Sequence, residues 1–335
     1  MNKRLATIFQ YIFFLGLGLF FAWLSLKNLD HEKSIQIKHS LKNAKKWLFI
    51  PVFVILILSH YFRALRWRLL IEPLGYEPKK LNMFLSVMIG YLVNLGVPRL
   101  GEIVKCTILA KYEKVPADKL IGTIIIERII DAVCLVIVFG ITLLIQPLLY
   151  EQIISAFFNQ ATQATQHTGS KQIWVFGIAL LIITLVIVYK KIPVGKLKKS
   201  IEKIGNSVLL GINSIRALKK RTLFILYTLA IWSLYLMGGY IGFIAFEETI
   251  NYGIVEAFTV LSAGSIGMIA SPGGIGAYAY LVEKTMQLYG LDYSVALAFG
   301  WLLWLAQTMV IIIGGVISFI ILPLTNKNDN FIANH

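Results

Sequence analysis

The sequence predicts an all-α polytopic membrane protein with about six full spans, two broken re-entrant helical hairpins and an inverted repeat. Three observations predict it. Of 335 residues, 57% are hydrophobic and only 15% charged, with a mean hydropathy of +0.74, whereas a soluble chain carries roughly 25% charged residues. Apolar runs of spanning length recur along the chain. Two further apolar stretches are interrupted by Pro-Gly motifs where a helix should be crossing the bilayer.

A span needs about 20 predominantly apolar residues, and segments 5–26, 47–69, 120–146, 173–190, 221–246 and 293–322 supply them. The first follows a basic Met1-Asn2-Lys3-Arg4 start, but its run to Leu26 exceeds the roughly 7–15 residues of a signal h-region and lacks a small-x-small cleavage site. It reads as a retained helix. Stretch 81–112 breaks at Val97-Pro98-Arg99-Leu100-Gly101-Glu102, and 253–289 breaks at Ser271-Pro272-Gly273-Gly274-Ile275-Gly276. Proline removes a helical N–H and glycine relaxes the backbone, so each stretch reads as two short helices meeting at a loop. Bare backbone at membrane depth is tolerated only against protein or a polar cavity.

Order and spacing then pair span, broken stretch and span over about 47–146 with the same sequence of elements over 221–322. The whole chain, 1–335, reads as one integral membrane domain, with a connecting span and a cytoplasmic amphipathic helix in 147–220. Inverted repeats with discontinuous helices are the architecture of many secondary transporters.

Charge placement gives orientation. The net charge is +15, which in a soluble chain would suggest nucleic acid. Here the basic residues lie between apolar runs, where they set topology and meet anionic lipid head groups, so no nucleic-acid partner is expected. Segment 190–221 carries Lys190, Lys191, Lys196, Lys198, Lys199 and Lys203 among others, while 147–172 has Lys171 alone. The basic segment is assigned to the cytoplasm. Leu197, Ile201, Ile204, Val208, Leu209, Ile212 and Ile215 recur at helical spacing within it, which predicts an interfacial helix on anionic lipid. If 81–112 enters and leaves on that side, residues 63–80 are cytoplasmic too and the lysines of 27–46 face outside. Cys106 and Cys134 form no framework pattern, and the five histidines show no ligand spacing, so neither metal nor cofactor is expected.

Charges inside an apolar span cost about 2.5–3.5 kcal/mol each even on insertion scales, so they mark candidate sites. Span 120–146 holds Glu127, Arg128 and Asp131. Glu127 and Asp131 share a helix face, and Arg128 stands three before Asp131. An ion-paired structural knot is one reading. The other is that a surplus carboxylate meets Arg99, Lys105, a proton or a substrate amine. In the Pro98–Glu102 loop, Gly101 allows the turn, Arg99 suits bidentate phosphate recognition, and Glu102 favours the start of the next helix; a helix cap with an interfacial arginine is the plainer reading. Pro272, Gly273, Gly274 and Gly276 form either a phosphate nest of bare amides or a close-packing element. Glu283 falls about two turns beyond, placed to pair with a basic residue of the other half. Arg63, Arg66 and Arg68 with Trp67 read as a cytoplasmic interface anchor, and Trp301 and Trp304 as packing residues.

The run Arg63–Leu70, the Pro98-Arg99-x-Gly101-Glu102 loop, the Glu127-Arg128-x-x-Asp131 helix and Pro272-Gly273-Gly274-x-Gly276 with Glu283 downstream resemble the flippase-like transmembrane region of lysylphosphatidylglycerol synthases. The resemblance covers about 5–322. It implies a lipid-handling fold, and in two-domain members that region is associated with moving aminoacylated phosphatidylglycerol between leaflets. It further implies that Arg99, Glu102, Glu127, Arg128 and Asp131 line a head-group path. This sequence ends at His335 without the soluble aminoacyl-transfer domain, so no lysyltransferase activity is expected. The combined expectation is a flippase or transporter of phospholipid or lipid-linked head groups, multi-pass in the cell (inner) membrane. The alternatives are a membrane-embedded transferase using a polyprenyl-phosphate or phospholipid donor, and a non-catalytic partner of a separate enzyme; a homo-oligomer fits any of these.

Overall fold

The computed structural model describes residues 3–27, 29–147 and 218–327, with the backbone alone for 3–14 and 46. The expected span 173–190, and the amphipathic helix up to residue 217, lie outside the described residues. The described chain is helical: α1 (Lys3–Leu26), α2 (His31–Asn43), α3 (Phe49–Ile71), α4 (Lys80–Gly96), α5 (Leu100–Glu113), α6 (Ala117–Ile145), α7 (Arg221–Ile244), α8 (Ile254–Ala270), α9 (Ala277–Leu288) and α10 (Tyr293–Thr325). Among the described residues, the helices of α3, α6, α7 and α10 are long and apolar enough to cross a membrane. Their bounds sit within three residues of the apolar runs that predict them. The two interrupted stretches form the hairpins α4–α5 and α8–α9.

Helix α2 is an element that hydropathy alone does not mark. Its residues are mostly polar, and it starts because Asp30 accepts the Lys33 backbone N–H at 2.8 Å, a side-chain cap for an otherwise orphaned donor. That bond holds the Asp30 carboxyl below the usual carboxylate range. Gln36 then ties the helix to α10 by accepting from Ser294 Oγ at 2.8 Å.

Neighbouring contacts fix direction. Lys45 N–H donates to Ala245 O and Leu48 packs near Phe243 at one end of the α3–α7 pair. At the other end Phe224 packs with Leu69 and Leu70, and Lys220 meets Glu72 at 2.9 Å. Helices α3 and α7 are therefore antiparallel. Thr123 beside Trp67 and Asp131 beside Arg63 and Arg66 make α6 antiparallel to α3. Asn82 and Asn326 exchange amide hydrogen bonds at 2.9 Å, and Leu92 packs on Gly315, so α4 is antiparallel to α10. The first hairpin opens at the Lys220–Glu72 end, where Asn82 bonds Glu113. The second opens at the opposite end, where Thr259 and Tyr289 hydroxyls meet at 2.8 Å.

The packing pairs exchange under a twofold operation: α3 on α4 matches α7 on α8, α5 on α6 matches α9 on α10, and α4 on α10 matches α8 on α6. Because the matching helices α3 and α7 run oppositely, the two halves are inverted relative to each other. The hairpins enter from opposite ends and touch at their tips, where Leu95 of the first lies against Gly273 of the second. Helix α1 closes on the second hairpin: Gly276 has φ of 70°, and a Cβ there would strike the α1 backbone at Gly18 and Ala22.

Candidate functional site

A run of apolar residues folds α3, α5 and α6 together, and what they enclose is charged. Arg63 and Arg66 stand three apart on α3, while Glu127 and Asp131 stand four apart on α6, so each helix presents its charges on one face. Arg63 Nη1 lies 2.9 Å from Asp131 Oδ2 and 3.5 Å from Glu127 Oε1. Arg66 Nη2 lies 2.6 Å from Asp131 Oδ1 and 3.7 Å from Glu127 Oε1. Lys105 of α5 completes the group, its Nζ 3.0 Å from Glu127 Oε2. Arg63, Arg66, Lys105 and Glu127 are all buried.

Aromatic side chains wall the cluster and strengthen it. Lys105 Nζ sits 4.4 Å from the centre of the Trp67 ring, in range of a cation–π contact. Trp67 is held in turn by its N–H donating to Thr123 Oγ1 at 2.8 Å. The Arg63 guanidinium lies 5.9 Å from the Tyr91 ring, and that of Arg66 5.8 Å from Phe224 of α7, so the second half supplies part of the wall. Toward the surface, Arg128 Nε lies 2.9 Å from Glu102 Oε1, with side chains 40% and 28% exposed. Its distance to Asp131 is 4.0 Å, so Arg128 bridges to the hairpin more closely than along its own helix.

The geometry corrects three expectations. Arg63 and Arg66 are not an interface anchor: α3 continues to Ile71, which places Arg63 about 12 Å inside its end. Only Arg68 keeps the peripheral role, 3.4 Å from Glu72. The surplus carboxylate of α6 meets Lys105, one of the partners the sequence offers, at 3.0 Å, and Arg63 and Arg66 of α3 join it. The expected bare amides are largely used: Gly101 N–H donates to Asn94 Oδ1 at 2.8 Å, and the N–H groups of Gly274, Ile275 and Ala277 bond within their own loop. Glu283 pairs with Ser25 Oγ of α1 at 2.9 Å and with Lys284 of its own helix at 3.0 Å, not with a base of the first repeat.

The remaining candidates take their places around the cluster. Glu102, Glu127, Arg128 and Asp131 are brought together with Arg63, Arg66 and Lys105. Gly101 is the backbone crossing of the hairpin, since a Cβ there would meet Gly90 O and the Asn94 side chain. Arg99 stands at the N-cap position of α5 at the tip, exposed and making no side-chain cap, with φ of 66°, a region that non-glycine residues seldom occupy. Its side chain has no partner among the described residues. Pro272, Gly273 and Gly274 form the facing tip, where Gly273 O accepts from Trp304 Nε1 at 2.9 Å. Trp304 thus packs, as expected, and Trp301 donates to Ser25 Oγ at 3.3 Å. The described residues contain no group of His, Cys, Asp and Glu able to hold a metal ion.

Comparison with known proteins places this geometry in context. The family model described as the lysylphosphatidylglycerol synthase TM region matches residues 8–315. Two UPF0104 membrane proteins of Methanocaldococcus jannaschii are similar. One is 30% identical over 129 residues, covering 38% of this chain and 36% of its own length. The other is 24% identical over 233 residues, covering 68% of this chain and 93% of its own length. No solved structure matches the chain.

Proposed function

The chain belongs to the family of the lysylphosphatidylglycerol synthase TM region, and from that membership and the buried charge cluster we propose that it moves phospholipid or lipid-linked head groups between leaflets. The observation that carries the reading is Lys105 closing the network from a re-entrant limb. A purely structural ion knot can be built between two spanning helices, whereas this one includes a hairpin whose mouth faces one membrane surface and whose tip meets the opposing hairpin. Buried intramembrane charge costs several kcal/mol, and discontinuous helices meeting near the midplane are where transporters place their sites.

On this reading the protein sits in the cell membrane with the mouth of the first hairpin cytoplasmic. Lys79, Lys80, Lys114, Lys119, Lys220 and Arg221 gather at that end, while Asp30, Glu32, Glu247, Glu248 and Asp292 offset the lysines of the other. The path runs past Arg99 and the Glu102–Arg128 pair, and no transferase chemistry is assigned to it.

A leaflet-resolved assay in liposomes with fluorescent phospholipids tests the proposal. Wild type is expected to move labelled lipid across the bilayer, and the Arg99→Ala/Asp131→Asn variant to do so at least about tenfold more slowly, the loss of roughly 1.4 kcal/mol. Equal rates would remove the site, and no movement of any phospholipid would remove the function.

A further inference from the structure

At the end of α3 remote from the ion cluster, the seam between the two halves is hollow. There α3 of the first half packs against α7 and α10 of the second, and two adjoining cavities open between them. One, of about 100 Å³, reaches Phe53, Met309 and Val310; the other, of about 30 Å³, reaches Lys45 and Ile241. Phe49, Val52 and Ala306 border both, so they form one crevice that runs at least about 6 Å along α3. Small side chains at Ala44, Ala245 and Ala306 leave it open. Among the described residues, Lys45 is its one polar lining side chain. That lysine is half-buried, and its ammonium group has no hydrogen bond or ion pair among the described residues. This holds although its own N–H donates to Ala245 O at 2.9 Å and the exposed Glu247 and Glu248 follow two and three residues later.

We infer that this crevice seats one phospholipid of the leaflet at that end, with an acyl chain between α3 and α10 and the phosphate on Lys45. An apolar cleft gives water no partners, whereas a hydrocarbon chain supplies the dispersion contacts that its walls lack. A lysine at the head of such a cleft is a point charge suited to phosphate. Trp47, 63% exposed two residues further on, is of the type that sits at head-group level. Lipid that merely surrounds the protein meets ridges such as Val136 and Leu144 of α6, both exposed, with neither a hollow nor a fixed charge. The seat touches both halves and so struts the inverted repeat. It shares no residue with the head-group path and does not depend on it.

Photolabelling of the full chain in liposomes, with phosphatidylglycerol carrying a diazirine on one acyl chain and peptide mapping as the readout, tests the seat without requiring transport. Label at residues 44–53 and 302–310 should exceed that on the exposed face of α6 by at least about tenfold. A diacylglycerol with the same photoreactive chain, lacking the phosphate, should label those segments about fivefold less. Lys45→Gln, at the surface, should bring the phospholipid down to the diacylglycerol level, and Ala306→Leu, which fills the crevice, should lower both. Label should persist in the Arg99→Ala/Asp131→Asn variant; its loss there would assign it to the head-group path and overturn the inference. Even label over all lipid-facing helices would leave surrounding lipid only, and no label at either segment would mean that another part of the chain covers the crevice. Equal label from the two probes, or no response to Lys45→Gln, would remove the phosphate contact. Each of these results contradicts the seat.

Discussion

Glu127→Gln is expected to lower the unfolding free energy of the detergent-solubilised protein by about 3–5 kcal/mol, the range for breaking one side of a buried ion pair. The change removes the carboxylate that Lys105 touches at 3.0 Å and that Arg63 and Arg66 approach at 3.5 and 3.7 Å. Lys105 is then left without an anion against Trp67. Thermal unfolding followed by fluorescence should show a lowered midpoint. Adding Lys105→Met should restore most of the loss, because deleting both members of a buried pair is far less damaging than deleting one. A single variant as stable as wild type, or a double variant no better than the single, would mean that the contact does not bind α5 to α6.

Gly101→Val is expected to cost about 1–3 kcal/mol or more through overpacking, and to open the first hairpin. At this crossing a Cβ would press on Gly90 O and on the Asn94 side chain, whose carbonyl caps the Gly101 N–H at 2.8 Å. The limbs must separate, which draws Lys105 away from Glu127. Gly96→Val is the matched control: it lies in the same hairpin, and nothing stands within 4 Å of a Cβ there. A lowered unfolding midpoint for Gly101→Val with a near-native one for Gly96→Val is the predicted pair of results. Similar midpoints for both would show that limb contact at Gly101 does not hold the hairpin.

The two hairpins and the spans α3, α6, α7 and α10 were legible because both signals are local. A run of about 20 apolar residues has few alternatives to a span, and Pro98 and Pro272 each deny a helix its continuation. Glu127 and Asp131 stood out for the same reason, as charges in an apolar run. Arg63 and Arg66 did not, because their distance from the helix end depends on where α3 stops, and their partners lie 64 to 68 residues away in sequence. Only the complementary spacing, three apart on one helix and four apart on the other, hinted that the two faces could meet. Asn94 was silent for a similar reason: an amide near a helix end has many uses, and its role as the cap of Gly101 follows from the hairpin closing. Helix α2 carries few apolar residues; Asp30 starts it, and Ile37 packing on the core and Gln36 accepting from Ser294 of α10 place it.

On the proposed function, the ion cluster serves passage of a head group and not only the joining of three helices. Stability and transport separate in the Lys105→Met/Glu127→Gln protein, which keeps the net charge of the cluster while removing its buried link to the re-entrant limb and leaving the half-buried Glu102–Arg128 pair in place. Reconstituted into liposomes with fluorescent phosphatidylglycerol, and compared with wild type at equal folded protein, this variant should exchange lipid between leaflets at least about tenfold more slowly. Exchange at the wild-type rate by a folded double variant would contradict the claim and leave the cluster as a structural knot.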